Sequence, residues 1–330
     1  MTGRVMVFGW VTALCMASCG APPPSAAPDL VRTADPQARG YTDADFPRVQ
    51  EVAPGVFTYE QLRSAGEERF TTVSLFVVTD EGVLVADGQG SVEETRRLVD
   101  TIGQYSARPI THVVVCSDHG DHTAGNSAFP ADAAFLAHPT SAAVLAEAAT
   151  RAARSAGSEA EDRPRTPPVV VPTWLVDDFE VLHLGGREIH VLFLGRAHTG
   201  GDLVVYLPEE KVLFMSETYL NRVFPAMRSA YPTEWATMLG RAQHMDVETY
   251  VPGHGFVDPP AVLEEELETY RQAVAAVITE GMRLHRAGVP VEEAVEVAEF
   301  GPLEEWSLRS SQAGTAIRRV YAELNGELKP

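Results

Sequence analysis

One short segment concentrates side chains that can bind a metal ion. His119, Asp121 and His122 place two imidazoles and a carboxylate within four residues. Imidazole nitrogens and carboxylate oxygens are donors that Zn²⁺ commonly takes in proteins. The segment directly follows an apolar stretch, residues 111–115. The pattern therefore predicts a metal site on a loop at the end of a buried strand.

Three further donors occupy equivalent positions. His198, Glu217 and His254 each follow an apolar stretch that is typical of a strand. Strand ends of one sheet layer can lie along one edge, where the loop residues converge. We therefore expect four histidines and two carboxylates to meet there, which packing alone explains poorly.

The elements that must position these residues follow from the hydrophobic pattern. Strands are predicted at 52–59, 73–78, 82–86, 111–115, 180–184, 188–194, 203–207, 212–215 and 249–251. Helices are predicted at 92–104, 139–154, 261–286, 290–298 and 303–324. Strands interleaved with helices, followed by a helical tail, predict an α/β domain with a C-terminal helical extension.

The motifs together resemble those of the metallo-β-lactamase superfamily. His-x-Asp-His at His119, His-Thr-Gly-Gly-Asp at His198 and Pro-Gly-His-Gly at His254 occur in that family's order, over about residues 52–258. The resemblance implies an αββα metallo-β-lactamase sandwich with one or two Zn²⁺ ions at an edge between the sheets. It also implies a zinc-dependent hydrolase, in which metal-bound hydroxide attacks an ester, thioester, lactone or amide carbonyl, a β-lactam included.

The resemblance also assigns roles to single residues. His119 and His198 would belong to the first metal site, and Asp121, His122 and His254 to the second. Asp121 would in addition orient the attacking water, which makes it the candidate catalytic residue.

Two positions depart from the family pattern. Ser117 stands where the first histidine of His-x-His-x-Asp-His belongs, and a hydroxyl is a poor zinc ligand beside imidazole. Glu217 stands where the family usually has a bridging aspartate, and it keeps the charge on a longer side chain. We expect Ser117 at most to contact a metal or a water, and the second site to bind metal more tightly than the first.

Other residues have weaker assignments. Asp87 matches a family position behind the ligand loop and is expected to form hydrogen bonds that fix the shape of that loop. Tyr219, Arg222 and Trp235 follow Glu217 and are candidates for the rim of the substrate cleft.

Two alternatives to a zinc hydrolase stay open. The loss of the first histidine is compatible with an accessory or binding lipoprotein that has a degenerate site and little hydrolytic activity. Iron in place of zinc would instead support redox chemistry, as in dioxygenases of the family.

The N-terminus has the pattern of an export signal. Residues 1–18 combine Arg4 with an apolar run, and Met16-Ala17-Ser18-Cys19 resembles a bacterial lipobox. This implies lipidation of Cys19 and a location at the periplasmic face of a bacterial membrane. The predicted organisation is a signal at 1–18, a Pro/Ala-rich tether at 19–46, the metallo-β-lactamase-fold domain at 47–260 and the helical extension at 261–330.

Composition limits the partners. The 330 residues are 45% apolar and 22% charged, which is typical of a soluble globular chain rather than a disordered one. The net charge of −20 repels phosphate backbones and argues against nucleic acid. We expect a small-molecule substrate, and membrane contact only through the lipid anchor.

Overall fold

Strands dominate the structure, a computed structural model that describes residues 30–156 and 167–328 together with Met1 and Gly3. In chain order the strands of these residues are β1 (Arg48–Ala53), β2 (Val56–Ala65), β3 (Glu68–Val78), β4 (Val83–Ala86), β5 (Ile110–Val115), β6 (Ala134–Ala137), β7 (Trp174–Leu175), β8 (Phe179–Leu184), β9 (Arg187–Leu192), β10 (Val204–Leu207), β11 (Val212–Leu220) and β12 (Thr249–His254). The helices are α1 (Val92–Tyr105), α2 (Gly120–Thr123), α3 (Pro139–Ala156), α4 (Pro232–Gln243), α5 (Pro260–Arg286), α6 (Val291–Val297) and α7 (Arg309–Leu324).

The strands form one hydrogen-bonded sheet that curls into two facing halves. Its order is β7-β6-β5-β4-β3-β12-β11-β10-β9-β8, with β2 pairing β3 and β1 pairing β2. The antiparallel pair Thr72 and His254 joins β3 to β12. Side chains from both halves share one apolar core, so the halves pack face to face. The joint between them therefore lies beside a predicted metal ligand.

Helices cover the outer faces. In β4, Leu84 and Ala86 point into the shared core, whereas Val83 and Val85 pack on the α1 side. This alternation follows from the two-residue repeat of a strand. α1 begins at Ser91, whose side chain accepts a hydrogen bond from the Glu94 backbone. On the other half, α4 contacts β11, and α5 contacts β11 and β12.

Some predicted boundaries are wrong. The run 52–59 is not one strand, because a turn at Pro54 and Gly55 separates β1 from β2, and Gly55 has the positive φ of +72° that such a turn requires. The helix predicted at 303–324 begins only at Arg309. A short 3-10 turn, Gly301–Glu305, precedes it, and Leu308 has left-handed backbone geometry.

The chain from Arg32 onward forms one compact unit. Arg39 donates to Asp258 at 2.6 Å and stacks over Phe256, and Ala34 is fully buried. Residues 32–46 are therefore part of the folded unit, whereas the sequence analysis placed them in the tether. The signal residues 4–18 and the lipidation candidate Cys19 lie outside the described residues.

The helical extension packs on the domain. Apolar residues of α5 and α7 belong to the same core as the sheet, so the extension is an integral part of the unit. None of the described helices is long and apolar enough to cross a membrane.

Candidate metal centre

The six predicted donors converge at one edge of the folded sheet. His119 directly precedes α2, which carries Asp121 and His122 on the loop after β5. Glu217 lies within β11 and His254 is the last residue of β12. His198 comes from the connection between β9 and β10.

The glycine beside His254 has a steric reason. A Cβ at Gly253 would lie 2.3 Å from the carbonyl carbon of Ser216, so only glycine lets β12 approach β11 this closely. The register of the two strands shifts at Ser216, whose φ is +47°. This close contact places Glu217 and His254 side by side.

The donors form two overlapping groups. In each group the donor atoms lie within 4.8 Å of one another; the groups are Asp121, His122, Glu217 and His254, and His119, His198 and Glu217. We call these the four-donor group and the three-donor group. They correspond to the second and first sites that the family resemblance implies.

Glu217 is common to both groups. Its carboxylate oxygens lie 3.4 Å from His119 Nδ1 and 3.5 Å from Nε2 of His122, His198 and His254. The side chain is only 3% exposed. This buried carboxylate, surrounded by imidazole nitrogens, stands where the family usually has a bridging aspartate.

The four-donor group is held from behind. His122 Nδ1 lies 3.0 Å from Asp87 Oδ2, and His254 Nδ1 lies 2.8 Å from the carbonyl oxygen of Thr71. Such contacts fix the orientation of a ligating imidazole. Asp87 also accepts hydrogen bonds from the Cys116 backbone, at 2.8 Å, and from the Ser216 hydroxyl. Asp87 thus lies behind the ligand loop, where the sequence analysis expected it.

The three-donor group lacks comparable support. His119 Nδ1 and His198 Nε2 face each other at 2.9 Å. Their other ring nitrogens are buried and have no hydrogen-bond partner among the described residues. His122 Nδ1 also lacks hydrogen-bond geometry, but it lies close to the Asp87 carboxylate. The hydroxyl of Ser117 is equally buried and unpartnered in the described part of the chain. Ser117, at the position of the missing histidine, therefore makes no side-chain hydrogen bond to the other residues of this group.

The pKa values of His198 and His254 are shifted in opposite directions. Burial lowers the pKa of His198 to about 3, so this imidazole is neutral. Burial also lowers the pKa of His254, but the negative charges of Glu217 and Asp121 outweigh this effect and raise it to about 10. A proton on His254 thus balances the buried carboxylates, and a divalent cation fits the same place because it supplies that positive charge. The donor set therefore suits a metal ion.

The predicted rim of the cleft is wrong. The Tyr219 hydroxyl is buried and lies 3.3 Å from the Leu263 carbonyl oxygen. Arg222 pairs with Glu266 at 2.7 Å instead of facing a substrate. The reason is that β11 continues to Leu220, beyond the predicted end at 215, so residues near Glu217 stay inside the protein.

Trp235 is also buried, but it touches the site from behind. Its ring meets the His198 ring edge to face at 5.4 Å, and Nε1 donates to the Thr218 carbonyl at 2.9 Å. It packs against a candidate ligand ring and is not among the residues that line the cavity over the cluster.

A cavity of about 330 Å³ opens over the cluster, which we call the cleft. Its apolar lining includes Phe70 and Val223, and α7 contributes Gln312 and Thr315. Arg228 is the one Lys or Arg side chain among the described residues that line it. The sequence analysis missed α7, because no motif signals that a helix so far along the chain returns to the metal ligands.

The comparisons with known proteins identify the family. The model of the metallo-beta-lactamase superfamily matches residues 68–254, more than half of the chain. The chain belongs to the metallo-β-lactamase superfamily. The predicted α/β fold with C-terminal helices is confirmed.

Relatives in this superfamily are distant. 2,4-Dinitroanisole O-demethylase subunit alpha of Nocardioides sp. (strain JS1661) is 27% identical over 232 residues, which are 69% of this chain and 64% of that subunit. The match thus spans less than two thirds of the demethylase subunit. A metallo-beta-lactamase type 2 of Bacillus cereus is 21% identical over 225 residues, 67% of this chain and 81% of the lactamase.

Solved structures establish the same fold. The metallo-beta-lactamase from Pontibacter korlensis matches with a TM-score of 0.57 and 21% identity, over 68% of this chain and 98% of its own. A stereoselective inverting sec-alkylsulfatase from Pseudomonas sp. matches with a TM-score of 0.62 and 18% identity, over 85% of this chain and 50% of its own. The 85% of this chain that matches the sulfatase is longer than the part of the chain before α5, so the structural likeness extends into the C-terminal helices.

Proposed function

We propose that this chain is a metal-dependent hydrolase that uses Zn²⁺ in the four-donor group and, more weakly, in the three-donor group. The observation that carries the proposal is the shared position of Glu217 within 3.5 Å of four imidazoles. Buried carboxylates and imidazoles in one cluster, open to a cleft, are the arrangement of a catalytic metal site. Family membership supports the same chemistry class.

Zn²⁺ bound here would lower the pKa of a water to about 7 and polarise the substrate. Asp121 would orient the attacking water, because its carboxylate lines the cleft and lies 3.2 Å from His254 Nε2. Glu217, whose side chain is only 3% exposed, would hold the centre together. The apolar wall around Phe70 would exclude bulk water from the reacting group.

The proposed substrate is an ester, thioester, lactone or amide, with β-lactams included. The named relatives act on different bonds, since they comprise a demethylase, a lactamase and a sulfatase. A sulfate ester therefore belongs in the test panel beside the carbonyl compounds.

The test is a chelator-controlled activity panel. Purified protein is assayed on 4-nitrophenyl acetate, nitrocefin, an acyl homoserine lactone, a thioester and 4-nitrophenyl sulfate. We expect turnover of at least one compound that a chelator abolishes and Zn²⁺ restores, and that His254→Ala lacks. Full metal content without chelator-sensitive turnover would contradict the hydrolase and favour the accessory lipoprotein, which the unpartnered Ser117 keeps as the second candidate.

Metal identity has its own test. Elemental analysis of protein purified without added metal is expected to find zinc in excess of iron. Iron as the main metal would contradict the proposed cofactor and favour redox chemistry.

We also propose export and lipidation at Cys19, on the basis of the apolar run and the lipobox-like Met16-Ala17-Ser18-Cys19. Radiolabelled palmitate should be incorporated by the natural chain and not by Cys19→Ser. Equal labelling of the two would contradict lipidation at this residue.

A further inference from the structure

A second cavity, of about 660 Å³, lies beside the metal centre, and we call it the α3 groove. It runs between α3 and the ligand loop. Its lining includes Val144, Ala148 and Arg151 of α3, together with Asp118, His119 and Arg228. Neither the sequence analysis nor the proposed reaction uses this cavity.

The groove adjoins the cleft. His119 and Arg228 line both cavities, so the groove lies directly beside a metal-ligand candidate. The volume lies within the range of about 300–1,000 Å³ that is usual for small-molecule sites. A small molecule therefore fits the groove better than a macromolecular partner does.

The wall that α3 contributes is apolar except for Arg151. Val144 and Ala148 are one helical turn apart and so lie on the same face of α3. Val144 is 40% exposed, although Leu145 beside it is buried against the core. Pro168, on the described chain that follows α3, adds another exposed apolar side chain. A ligand that covers this exposed apolar surface removes it from water, which favours binding.

We propose that the α3 groove binds the apolar part of the substrate while the scissile group lies over His119 in the cleft. The inference rests on the proposed hydrolase function and narrows its substrate class. The substrate carries an alkyl or aryl group of several carbons next to the bond that is cleaved. Compounds with only a methyl group there leave the groove empty.

A chain-length series tests this assignment. 4-Nitrophenyl acetate and 4-nitrophenyl hexanoate share one leaving group and differ only in apolar length. We expect kcat/KM to be at least about tenfold higher for the hexanoate, because the added methylenes are removed from water in the groove. Val144→Asp should remove this preference, because it lowers kcat/KM for the hexanoate more than for the acetate.

The matched control is Val297→Asp. Val297 is also an exposed helical valine, 48% accessible, and it lines neither the cleft nor the α3 groove. This variant should keep the chain-length preference. Ala148→Phe fills the groove without adding charge, and it should weaken hexanoate hydrolysis more than acetate hydrolysis.

A binding measurement separates the groove from the reaction. N-phenyl-1-naphthylamine is apolar and uncharged, so the net charge of −20 does not repel it. Its fluorescence should rise with the chelator-treated natural chain and with Val297→Asp, and about tenfold less with Val144→Asp. This pattern without any ester hydrolysis would support the groove and contradict the hydrolase.

Two results would contradict substrate binding in the α3 groove without contradicting the hydrolase. One is chelator-sensitive hydrolysis with equal kcat/KM for both esters. The other is a preference for the hexanoate that Val144→Asp retains.

Discussion

The two halves of the metal centre share Glu217 but differ in everything around it. In the four-donor group His254 Nδ1 is hydrogen-bonded to the Thr71 carbonyl oxygen, and His122 Nδ1 lies 3.0 Å from the Asp87 carboxylate, although without hydrogen-bond geometry. In the three-donor group neither outer ring nitrogen has a hydrogen-bond partner among the described residues, and Ser117 stands where the family pattern has a histidine. The group with fewer donors is also the group with fewer contacts behind its imidazoles. We therefore expect the four-donor group to bind its ion tightly and the three-donor group to bind its ion weakly.

The largest expected effect separates the groups by ligand removal. His254→Ala should weaken the tightly bound metal by more than about 100-fold, because losing a ligand costs more than losing a contact behind one. His198→Ala, the matched control, should leave that ion nearly unchanged. Competition with a chromophoric chelator measures both affinities, and equal losses in the two variants would break the comparison.

Restoring the missing ligand should strengthen the weak half. Ser117→His is expected to raise zinc content toward two ions per chain, because a third imidazole joins His119 and His198. Ser117→Ala controls for the loss of the hydroxyl and should leave zinc content unchanged. Unchanged content in both variants, with thermal melting that shows folded protein, would mean that position 117 does not face the three-donor group.

The contact behind His122 gives a smaller effect. Asp87→Asn keeps the shape but removes the charge, and it should weaken the tight ion by about 10–100-fold. The same substitution should leave the weak ion much less affected, since Asp87 contacts only the four-donor group among the ligands. Isothermal titration of chelator-treated protein with Zn²⁺ distinguishes the two. An equal loss at both ions would contradict a local role.

The smallest effect concerns Trp235. Trp235→Phe loses the hydrogen bond to the Thr218 carbonyl while keeping an aromatic ring against His198. Thermal or denaturant unfolding should show a loss of stability of about 1–3 kcal/mol, because a buried acceptor stays unpaired. The affinity of the four-donor group for its ion should not change. A large loss of that affinity would contradict the assignment of Trp235 to the three-donor group.

The donors could be predicted from the sequence because each stands in a short motif next to an apolar run. His119, Asp121 and His122 share one loop, and the glycines around His254 report a close strand contact. These signals are local, so one sequence is enough to read them. Their convergence was expected because each donor follows a predicted strand, and strand ends of one sheet layer can lie along one edge.

The surroundings of the donors could not be predicted, because they depend on contacts between distant segments. The extra length of β11 buries Tyr219 in the core, although the pattern around it is compatible with an exposed rim. Gln312 and Thr315 reach the cleft only because α7 packs on the domain. No sequence signal predicts the left-handed backbone geometry of Leu308, the residue directly before α7.

The most direct test of the account is a zinc titration of the chelator-treated natural chain, followed by calorimetry and elemental analysis. The account predicts one firmly bound ion per chain, lost in His254→Ala, and a second ion that binds at least about tenfold more weakly. Two ions of equal affinity, or a firm ion that survives His254→Ala and disappears in His198→Ala, would contradict it.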